Sequence, residues 1–222
     1  MTINIAIDGP AGAGKSTVSR AVAKELGYIY VDTGALYRAV GLNALRKQVD
    51  TADAAAVADT LSGLVVELKF IDGEQRVLLN GEDVSQAIRT PEASMAASAV
   101  SAVPAVRDFL FDLQRNIAES NNCIMDGRDI GTVVLPNAQI KIFLTASPEE
   151  RAIRRYRELE QKGTPVDYQQ VLEDMIQRDY NDSNRAIAPL KPAEDAVTVD
   201  TTGHTLEQSV EALLTIIKER IV

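Results

Sequence analysis

Short apolar segments alternate along this chain with longer segments in which apolar residues recur every three or four positions. The short segments predict strands over 3–8, 28–31, 122–126, 139–144 and 196–200. The longer segments predict helices over 15–26, 33–47, 104–119, 148–162, 167–181 and 205–221. Apolar strands that alternate with helices indicate an α/β fold, in which a five-stranded parallel sheet has helices on both faces.

One region departs from this alternation of strands and helices. Apolar and charged residues alternate over 65–70, and a second short run follows at 76–79. The pairs Asp72-Gly73 and Asn80-Gly81 are typical of tight turns between antiparallel strands. We therefore expect a small antiparallel β insertion at about 62–90.

The rest of the chain is predicted to form one domain around this insertion. Its core comprises 1–61, 91–148 and 164–222. A helical lid, which is described below, lies between the last two of these segments. Thr90 is expected to cap the helix with which the core resumes, because threonine before proline is a common helix start. The Ala/Asp-rich segment 51–60 is predicted to be a surface helix.

The composition narrows the possible partners. The 222 residues carry a formal net charge of −9. Nucleic acids and anionic membranes select basic surfaces, so we expect neither as a partner. No apolar run approaches the roughly 20 residues of a membrane span. With a single cysteine, Cys123, no intrachain disulfide can form. We therefore expect a cytoplasmic protein, and we expect it to be a monomer.

A phosphate-binding loop follows the first predicted strand. It fits the pattern G-x-x-x-x-G-K-[ST], and with the next residue it comprises Gly9, Pro10, Ala11, Gly12, Ala13, Gly14, Lys15, Ser16 and Thr17. The glycines let backbone N–H groups turn towards anionic oxygens, and the following helix N-terminus adds a partial positive charge. Lys15 is expected to reach the β- and γ-phosphates of ATP, and the Ser16 hydroxyl is expected to ligate Mg²⁺.

The alternative is a Gly/Ala-rich turn that only happens to precede a helix. The motif lies between an apolar strand and a helical pattern, which is the structural context that it requires. We therefore predict a P-loop NTPase fold and a nucleoside-triphosphate site.

Polar clusters follow two other predicted strands. Asp32-Thr33-Gly34-Ala35-Leu36-Tyr37-Arg38 comes after the second strand, and Asp126-Gly127-Arg128-Asp129 closes the strand at 122–126. Ligands of open α/β sheets bind outside the carboxyl ends of the strands. The alternative for the first cluster is a helix cap by Thr33, and the alternative for the second cluster is a solvated turn. We favour a binding role for both clusters.

Arg151, Arg154 and Arg155 share one face of a predicted helix. They fit a mobile lid at about 149–163 whose arginines close on a transferring phosphoryl group. The alternative is a salt-bridged surface helix, because glutamates surround the three arginines.

Arg178, Asp182 and Arg185 also fall on one helical face. An ordinary i,i+4 ion pair would explain the first two of these residues. The third residue extends the row into a stripe that could face a cleft.

These segments together resemble the bacterial cytidylate (CMP/dCMP) kinases over nearly the whole chain. The resemblance rests on the phosphate loop and on the segments 32–38, 126–134, 149–151 and 185–190. The β insertion is similar to the extra monophosphate-binding subdomain of that family. Thr33 stands where the family often has serine, and the hydroxyl group is retained.

The resemblance implies roles for individual residues of the acceptor site. The acceptor phosphate would be bound by three arginines, Arg38, Arg128 and Arg185. The cytosine edge would be read by Ser98, Arg107 and Asp129. The sugar hydroxyls would be held by Arg178 and Asp182, and the pocket would be lined by Thr33 and Tyr37.

The resemblance also implies the reaction. ATP and Mg²⁺ would serve the phosphorylation of CMP and dCMP to CDP and dCDP by in-line phosphoryl transfer. Charge on the transferred group would be neutralised by Lys15, Arg128, Arg185 and the lid arginines Arg154 and Arg155.

Two other functions are open to a P-loop protein. Another small-molecule or monophosphate kinase, with UMP or another acceptor, is disfavoured by the acceptor-site arginines and the β insertion. A regulatory GTPase would carry an Asn-Lys-x-Asp motif, and the chain has no Asn-Lys dipeptide.

Overall fold

The computed structural model describes residues 2–71, 74–161, 163 and 165–221. Its strands are β1 Asn4–Asp8, β2 Ile29–Asp32, β3 Val66–Ile71, β4 Glu74–Leu79, β5 Glu82–Asp83, β6 Cys123–Gly127, β7 Ile140–Thr145 and β8 Val197–Asp200. Its α-helices are α1 Lys15–Leu26, α2 Thr33–Arg46, α3 Ala54–Asp59, α4 Pro91–Val100, α5 Pro104–Ser120, α6 Pro148–Gln161, α7 Tyr168–Asn184 and α8 Leu206–Lys218. A 3₁₀ turn at Ala87–Arg89 and a π-helix at Ile130–Val134 are also present.

The predicted strands and helices of the parallel part are confirmed, with ends that differ by a few residues at most elements. The helix α1 has the predicted bounds because Gly27, with φ of 69°, adopts the left-handed conformation that ends it. The predicted cap Thr90 is also confirmed, since its side chain accepts a hydrogen bond from the Ala93 N–H.

Five strands form one sheet in the order β2-β6-β1-β7-β8. The central strand β1 runs parallel to β6 and to β7, and β8 runs parallel to β7. Ile5 and Ile7 of β1 are fully buried in the core with residues of α1 and α8. Because side chains alternate along a strand, Asp8 points to the other face, where the π-helix packs. The sequence-based prediction of the fold class is confirmed.

The β insertion is an antiparallel sheet of three strands, β3-β4-β5. The predicted turn at Asp72-Gly73 lies outside the described residues. The turn at Asn80-Gly81 is confirmed, and both of its residues have positive φ, as a tight hairpin requires. The strand β5 was not predicted, because two residues are too short to show a pattern.

The chain divides into two compact units, Met1–Tyr30 with Asn121–Val222, and Val31–Ser120. We call them the loop unit, since it contains the phosphate loop, and the insertion unit. The core of the insertion unit lies between α2, α4, α5 and the insertion strands, around fully buried Leu36 and Leu110. The helices α2 and α4 approach closely at Gly41, where an added Cβ would lie 2.9 Å from the Ala96 Cβ.

The prediction for 51–60 is only partly correct. The helix α3 is shorter, and its N-terminus is capped by Asp53, whose carboxylate accepts from the N–H groups of Ala55 and Ala56. Val57 is fully buried, so α3 belongs to the core of the insertion unit. Among the helices of the described ranges, none is long and apolar enough to cross a membrane.

Candidate active site

The phosphate loop lies between β1 and α1, at the carboxyl end of the central strand. Gly12 and Gly14 have φ of 73° and 84°, a conformation that favours glycine. Gly14 is the N-cap of α1, so the first backbone N–H groups of this helix are available to an anion. Lys15 is buried, whereas Ser16 is exposed. The loop therefore presents the donors, the cation and the accessible hydroxyl that a Mg²⁺-bound triphosphate requires.

The first residue of the loop, Gly9, has to be glycine for a steric reason. A Cβ added to it would lie 1.9 Å from the Leu144 carbonyl oxygen in β7. Any side chain here would therefore push the loop away from the neighbouring strand.

Lys15 is held inside the loop. Its Nζ donates a hydrogen bond to the Pro10 carbonyl oxygen at 2.7 Å. Burial lowers the pKa of Lys15 to about 7, and the charge of Arg128 acts in the same direction, while Asp126 and Asp8 oppose it. Bound phosphate would favour the charged form of Lys15, so its protonation is coupled to phosphate binding.

Two ion pairs of the loop unit join the residues that were predicted to bind the acceptor. Arg128 Nε lies 3.0 Å from Asp182 Oδ2, and Arg185 Nη2 lies 3.1 Å from Asp129 Oδ1. Asp129 and Asp182 are almost completely buried. Arg178 lies one turn before Asp182 in α7, and its charge also lowers the pKa of Lys15. The fold thus pairs four of these residues, and the charges of Arg128 and Arg178 reach Lys15 in the phosphate loop.

Arg185 reaches this cluster by a route that the periodicity did not predict. The sequence suggested a continuous helical face through Arg178, Asp182 and Arg185, but α7 ends at Asn184 and Arg185 has an extended conformation. The chain then turns at Ala188, whose φ is +48°, and the Ala188 carbonyl oxygen accepts from Arg185 Nε at 2.6 Å. The arginine is therefore positioned by the following turn and by Asp129.

The lid arginines that were predicted to be catalytic differ in their surroundings. Arg154 Nη2 donates to the Thr201 carbonyl oxygen at 2.9 Å, and its Nη1 lies 3.8 Å from where a Cβ on Gly14 would stand. Arg154 thus lies beside the phosphate loop. Both arginines also pair with a glutamate of α6, as expected for a salt-bridged helix: Arg154 with Glu150, and Arg155 with Glu158.

Arg151 has a structural connection that the sequence pattern did not reveal. Its buried guanidinium donates to the carbonyl oxygens of Ala11 in the phosphate loop and Ala146 before α6. It also forms a two-pronged pair with the Asp179 carboxylate of α7. One side chain therefore joins the loop to the helices α6 and α7. In the sequence, only the place of Arg151 in the predicted lid helix indicated a functional role.

Asp8 is a residue of the loop unit that the sequence analysis did not select. Its carboxylate accepts from the N–H groups of Ile130 and Gly131, both at 2.7 Å. Burial raises the pKa of Asp8 to about 6, although these two hydrogen bonds act to lower it. Its position directly before Gly9 was the available signal.

Asp32 organises the start of α2 in the insertion unit. Its side chain accepts from the Ala35 N–H and from Arg38 Nη2 at 2.8 Å, so Asp32 is the helix cap, and the alternative of a cap by Thr33 is excluded. Burial opposes ionisation of Asp32, but the Arg38 guanidinium outweighs it and holds the pKa of this carboxyl below its usual range. Gly34 leaves room for the pair, because a Cβ there would lie 3.0 Å from Arg38 Nη1.

Another part of the insertion unit brings Tyr37 and Arg107 together. The Arg107 guanidinium carbon lies 5.8 Å from the centre of the Tyr37 ring, within the range of a cation–π contact. Arg107 is buried, and it donates to the Ser101 carbonyl oxygen just after α4. Ser98 lies on α4, and its carbonyl oxygen accepts from the Ser101 hydroxyl. The Arg107 guanidinium is therefore a buried cation that is held in place by these contacts.

These features define the class of protein. A glycine-built anion cradle stands at the carboxyl edge of a parallel sheet, with Lys15 inside it and paired arginines beside it. Such a site belongs to P-loop phosphotransferases, which act by positioning phosphates and neutralising their charge.

Comparison with known proteins gives the family. The model of the cytidylate kinase family matches residues 5–219, and the chain belongs to that family. The cytidylate kinase of Caldicellulosiruptor bescii is 52% identical over 96% of this chain and 94% of its own length. The cytidylate kinase of Pelotomaculum thermopropionicum is 53% identical over 95% and 94% of the two chains. A gluconokinase structure from Sinorhizobium meliloti shares the fold with a TM-score of 0.51, at 13% identity over 99% of this chain and 94% of that one.

Proposed function

We propose that this enzyme transfers the γ-phosphoryl group of ATP to CMP and dCMP, which yields ADP with CDP or dCDP. The observation that carries the proposal is the grouping of the phosphate loop with the Arg128–Asp182 and Arg185–Asp129 pairs in one compact unit. Membership of the cytidylate kinase family supports the same reaction.

The chemistry follows from charge and position. An oxygen of the acceptor phosphate attacks the γ-phosphorus in line, and the bond to the ADP oxygen breaks. Lys15 bears on the β- and γ-phosphates, and Arg128, Arg185 and Arg154 neutralise the equatorial oxygens as charge redistributes. No side chain forms a covalent bond to phosphorus, so catalysis depends on geometry.

Mg²⁺ fits the site as a metal bound mainly by substrate. Groups of three or more His, Cys, Asp or Glu side chains with metal-binding geometry are absent from the described ranges. Magnesium commonly takes its ligands from phosphates, waters and one or two protein oxygens. The exposed Ser16 hydroxyl on the first turn of α1 would supply such an oxygen. The bound ion would screen negative charge between the β- and γ-phosphates.

The base is discriminated by hydrogen-bond polarity. Cytosine offers an amino donor where uracil offers a carbonyl acceptor, and a carboxylate binds the first and repels the second. We assign this function to Asp129 in the loop unit, with Arg178 and Asp182 at the sugar hydroxyls. In the insertion unit we assign base contacts to Ser98 and Arg107, phosphate contact to Arg38, and pocket lining to Thr33 and Tyr37.

The remaining assignments are also proposals. We assign the chain to one kinase domain, in which 62–90 form the monophosphate-binding subdomain and 149–163 form the lid. We assign Arg155 to the lid, where it would release Glu158 and bind phosphate when the lid closes. We propose a monomer that acts in the cytoplasm.

A coupled ADP-release assay over a panel of monophosphates tests the function. With ATP and Mg²⁺ we expect CMP and dCMP to give the highest kcat/KM. ATP turnover without acceptor should be very slow, because a kinase site excludes water from the γ-phosphate and so prevents hydrolysis of the donor. Preference for AMP, GMP, shikimate or a sugar would refute the proposal.

A further inference from the structure

The two backbone N–H groups that follow Asp129 are bound by a carboxylate from a distant part of the chain. They belong to Ile130 and Gly131, the first residues of the π-helix, and both lie 2.7 Å from oxygens of Asp8. The first N–H groups of any helix lack partners within the helix. Asp8 supplies these partners from the carboxyl end of β1.

The residue that would ordinarily cap this helix is Asp129, which occupies the N-cap position. Its side chain makes no capping hydrogen bond and instead lies 3.1 Å from Arg185. An aspartate at this position usually accepts from N–H groups of the first turn. Since Asp8 already binds the N–H groups of Ile130 and Gly131, the Asp129 carboxylate is released from capping.

We propose that Asp8 is a positioning residue for base selection, which holds the turn at 129–131 so that the Asp129 carboxylate remains available to the cytosine amino group. The inference rests on the proposed function, because it requires Asp129 to read the base. Asp8 touches no substrate itself. It acts through two hydrogen bonds that join the strand before the phosphate loop to the turn that carries Arg128 and Asp129.

The local packing supports a fixed position for this turn. Asp8 is 4% exposed and Gly131 is buried. A Cβ on Gly131 would lie 3.1 Å from Lys141 Cδ and 3.4 Å from Asp8 Oδ2, so the turn is enclosed on both sides. A π-helix segment of this kind is often found at functional sites.

Charge makes the arrangement sensitive to protonation. The charged groups that act on Asp8 are Asp129 in the turn and Lys15 in α1, and Lys141 of β7 lies on the far side of Gly131. Burial raises the pKa of Asp8 to about 6. A protonated carboxyl has one oxygen that donates and binds two N–H groups poorly.

The direct test is steady-state kinetics of Asp8→Asn with CMP and with UMP. Asparagine retains one acceptor oxygen, but its amide nitrogen would face the second N–H group. We expect the ratio of kcat/KM for CMP over UMP to fall on the order of tenfold, as for a small displacement of a selecting group. The KM for ATP should rise by the same factor with either acceptor, because Asp8 also favours the charged form of Lys15 and this effect does not depend on the base.

Asp53→Asn is the matched control. Asp53 also caps a helix through two N–H groups, those of Ala55 and Ala56, but it is exposed and directly precedes α3 in the insertion unit. We expect it to change thermal stability without changing the CMP/UMP ratio. If Asp8→Asn lowers kcat/KM for CMP and UMP equally, Asp8 has a general structural role and the proposal is wrong.

A measurement on the wild-type enzyme decides the matter if Asp8→Asn does not fold. The amide resonances of Ile130 and Gly131 should shift together with a midpoint near pH 6, and the CMP/UMP ratio should fall below that pH. Effects of Lys15 cancel in the ratio, since both acceptors use it. Resonances that shift while the ratio stays constant would overturn the proposal. A wild-type enzyme that does not prefer CMP would refute the proposed function itself, which is a separate outcome.

Discussion

Arg185 Nη2 lies 3.1 Å from Asp129 Oδ1, and both side chains are more than nine-tenths buried. The pair joins the arginine that we assign to the acceptor phosphate with the carboxylate that we assign to the base. Removing one partner therefore leaves the other buried without its counter-charge, which is costly. Kinetic effects of substitutions at these two residues will consequently be coupled.

This pair and its neighbour Arg128 give the first prediction. Asp129→Ala should lower kcat/KM for CMP more than for UMP, with a difference on the order of 1–3 kcal/mol in transition-state stabilisation. It should also lower the UMP rate, because Arg185 loses its partner. Arg128→Ala should reduce both rates about equally, since CMP and UMP carry the same phosphate. Initial rates of both variants with both acceptors give the comparison.

An unchanged CMP/UMP ratio in Asp129→Ala would exclude the base-reading role of Asp129. Arg157→Ala, at an exposed position of α6, serves as the arginine control for this comparison. We expect it to have a smaller effect on kcat than Arg154→Ala, because Arg154 already lies beside Gly14.

The second prediction concerns Lys15. Lys15→Met should reduce kcat by about a thousandfold, as expected when a principal charge-stabilising donor is lost. The fold should persist, because a buried ammonium with a lowered pKa contributes little to stability at neutral pH. Turnover and circular dichroism together test this, and near-wild-type turnover would contradict the assignment of the loop.

The pH dependence of stability gives a third prediction. The pKa of Lys15 is about 7 in the folded chain, below the usual value near 10.5. Between these values the unfolded chain binds more protons, so Lys15 makes the free energy of unfolding rise with pH from about 7 to 10.5. Lys15→Met should flatten this rise in urea melts at a series of pH values. An identical slope in both proteins would show that Lys15 titrates normally.

The pair of Arg151 with Asp179 gives a fourth prediction. Either alanine substitution should destabilise the loop unit by about 3 kcal/mol, since each leaves a largely buried charge unpaired. The double substitution should cost less than the sum, with a coupling energy of about 1–3 kcal/mol. The surface pair Arg155–Glu158 on the same helix is the matched control, for which we expect at most about 0.5 kcal/mol. Equal coupling in the two cycles would argue against a special role for Arg151.

A fifth prediction compares two glycines with positive φ. Gly9→Ala should cost about 3 kcal/mol or more and should also raise the KM for ATP, because its Cβ would meet the Leu144 carbonyl at 1.9 Å. Gly27→Ala has open space within 4 Å and should cost only about 1–2 kcal/mol, from its left-handed backbone. Thermal melts and ATP titrations of both variants test the difference. Similar melting temperatures would show that the close approach at Gly9 can relax.

Local patterns of the sequence determined the fold class, the order and approximate positions of most elements, and the phosphate loop. The helix α1 could be predicted because the apolar period, the loop motif and Gly27 all lie within one segment. The family resemblance named Arg128, Asp129 and Arg185 through short motifs. Each of these signals is carried by neighbouring residues, so it can be read without knowledge of the packing.

The tertiary structure alone decided which of these residues act on one another. Asp8 binds N–H groups 122 and 123 positions away, Arg128 pairs with Asp182 across 54 positions, and Arg151 reaches the loop across 140 positions. The helical period even suggested the wrong support for Arg185. Such contacts leave no periodic signal, because they depend on how strands and helices pack, and a single bond between distant residues needs no pattern around either of them.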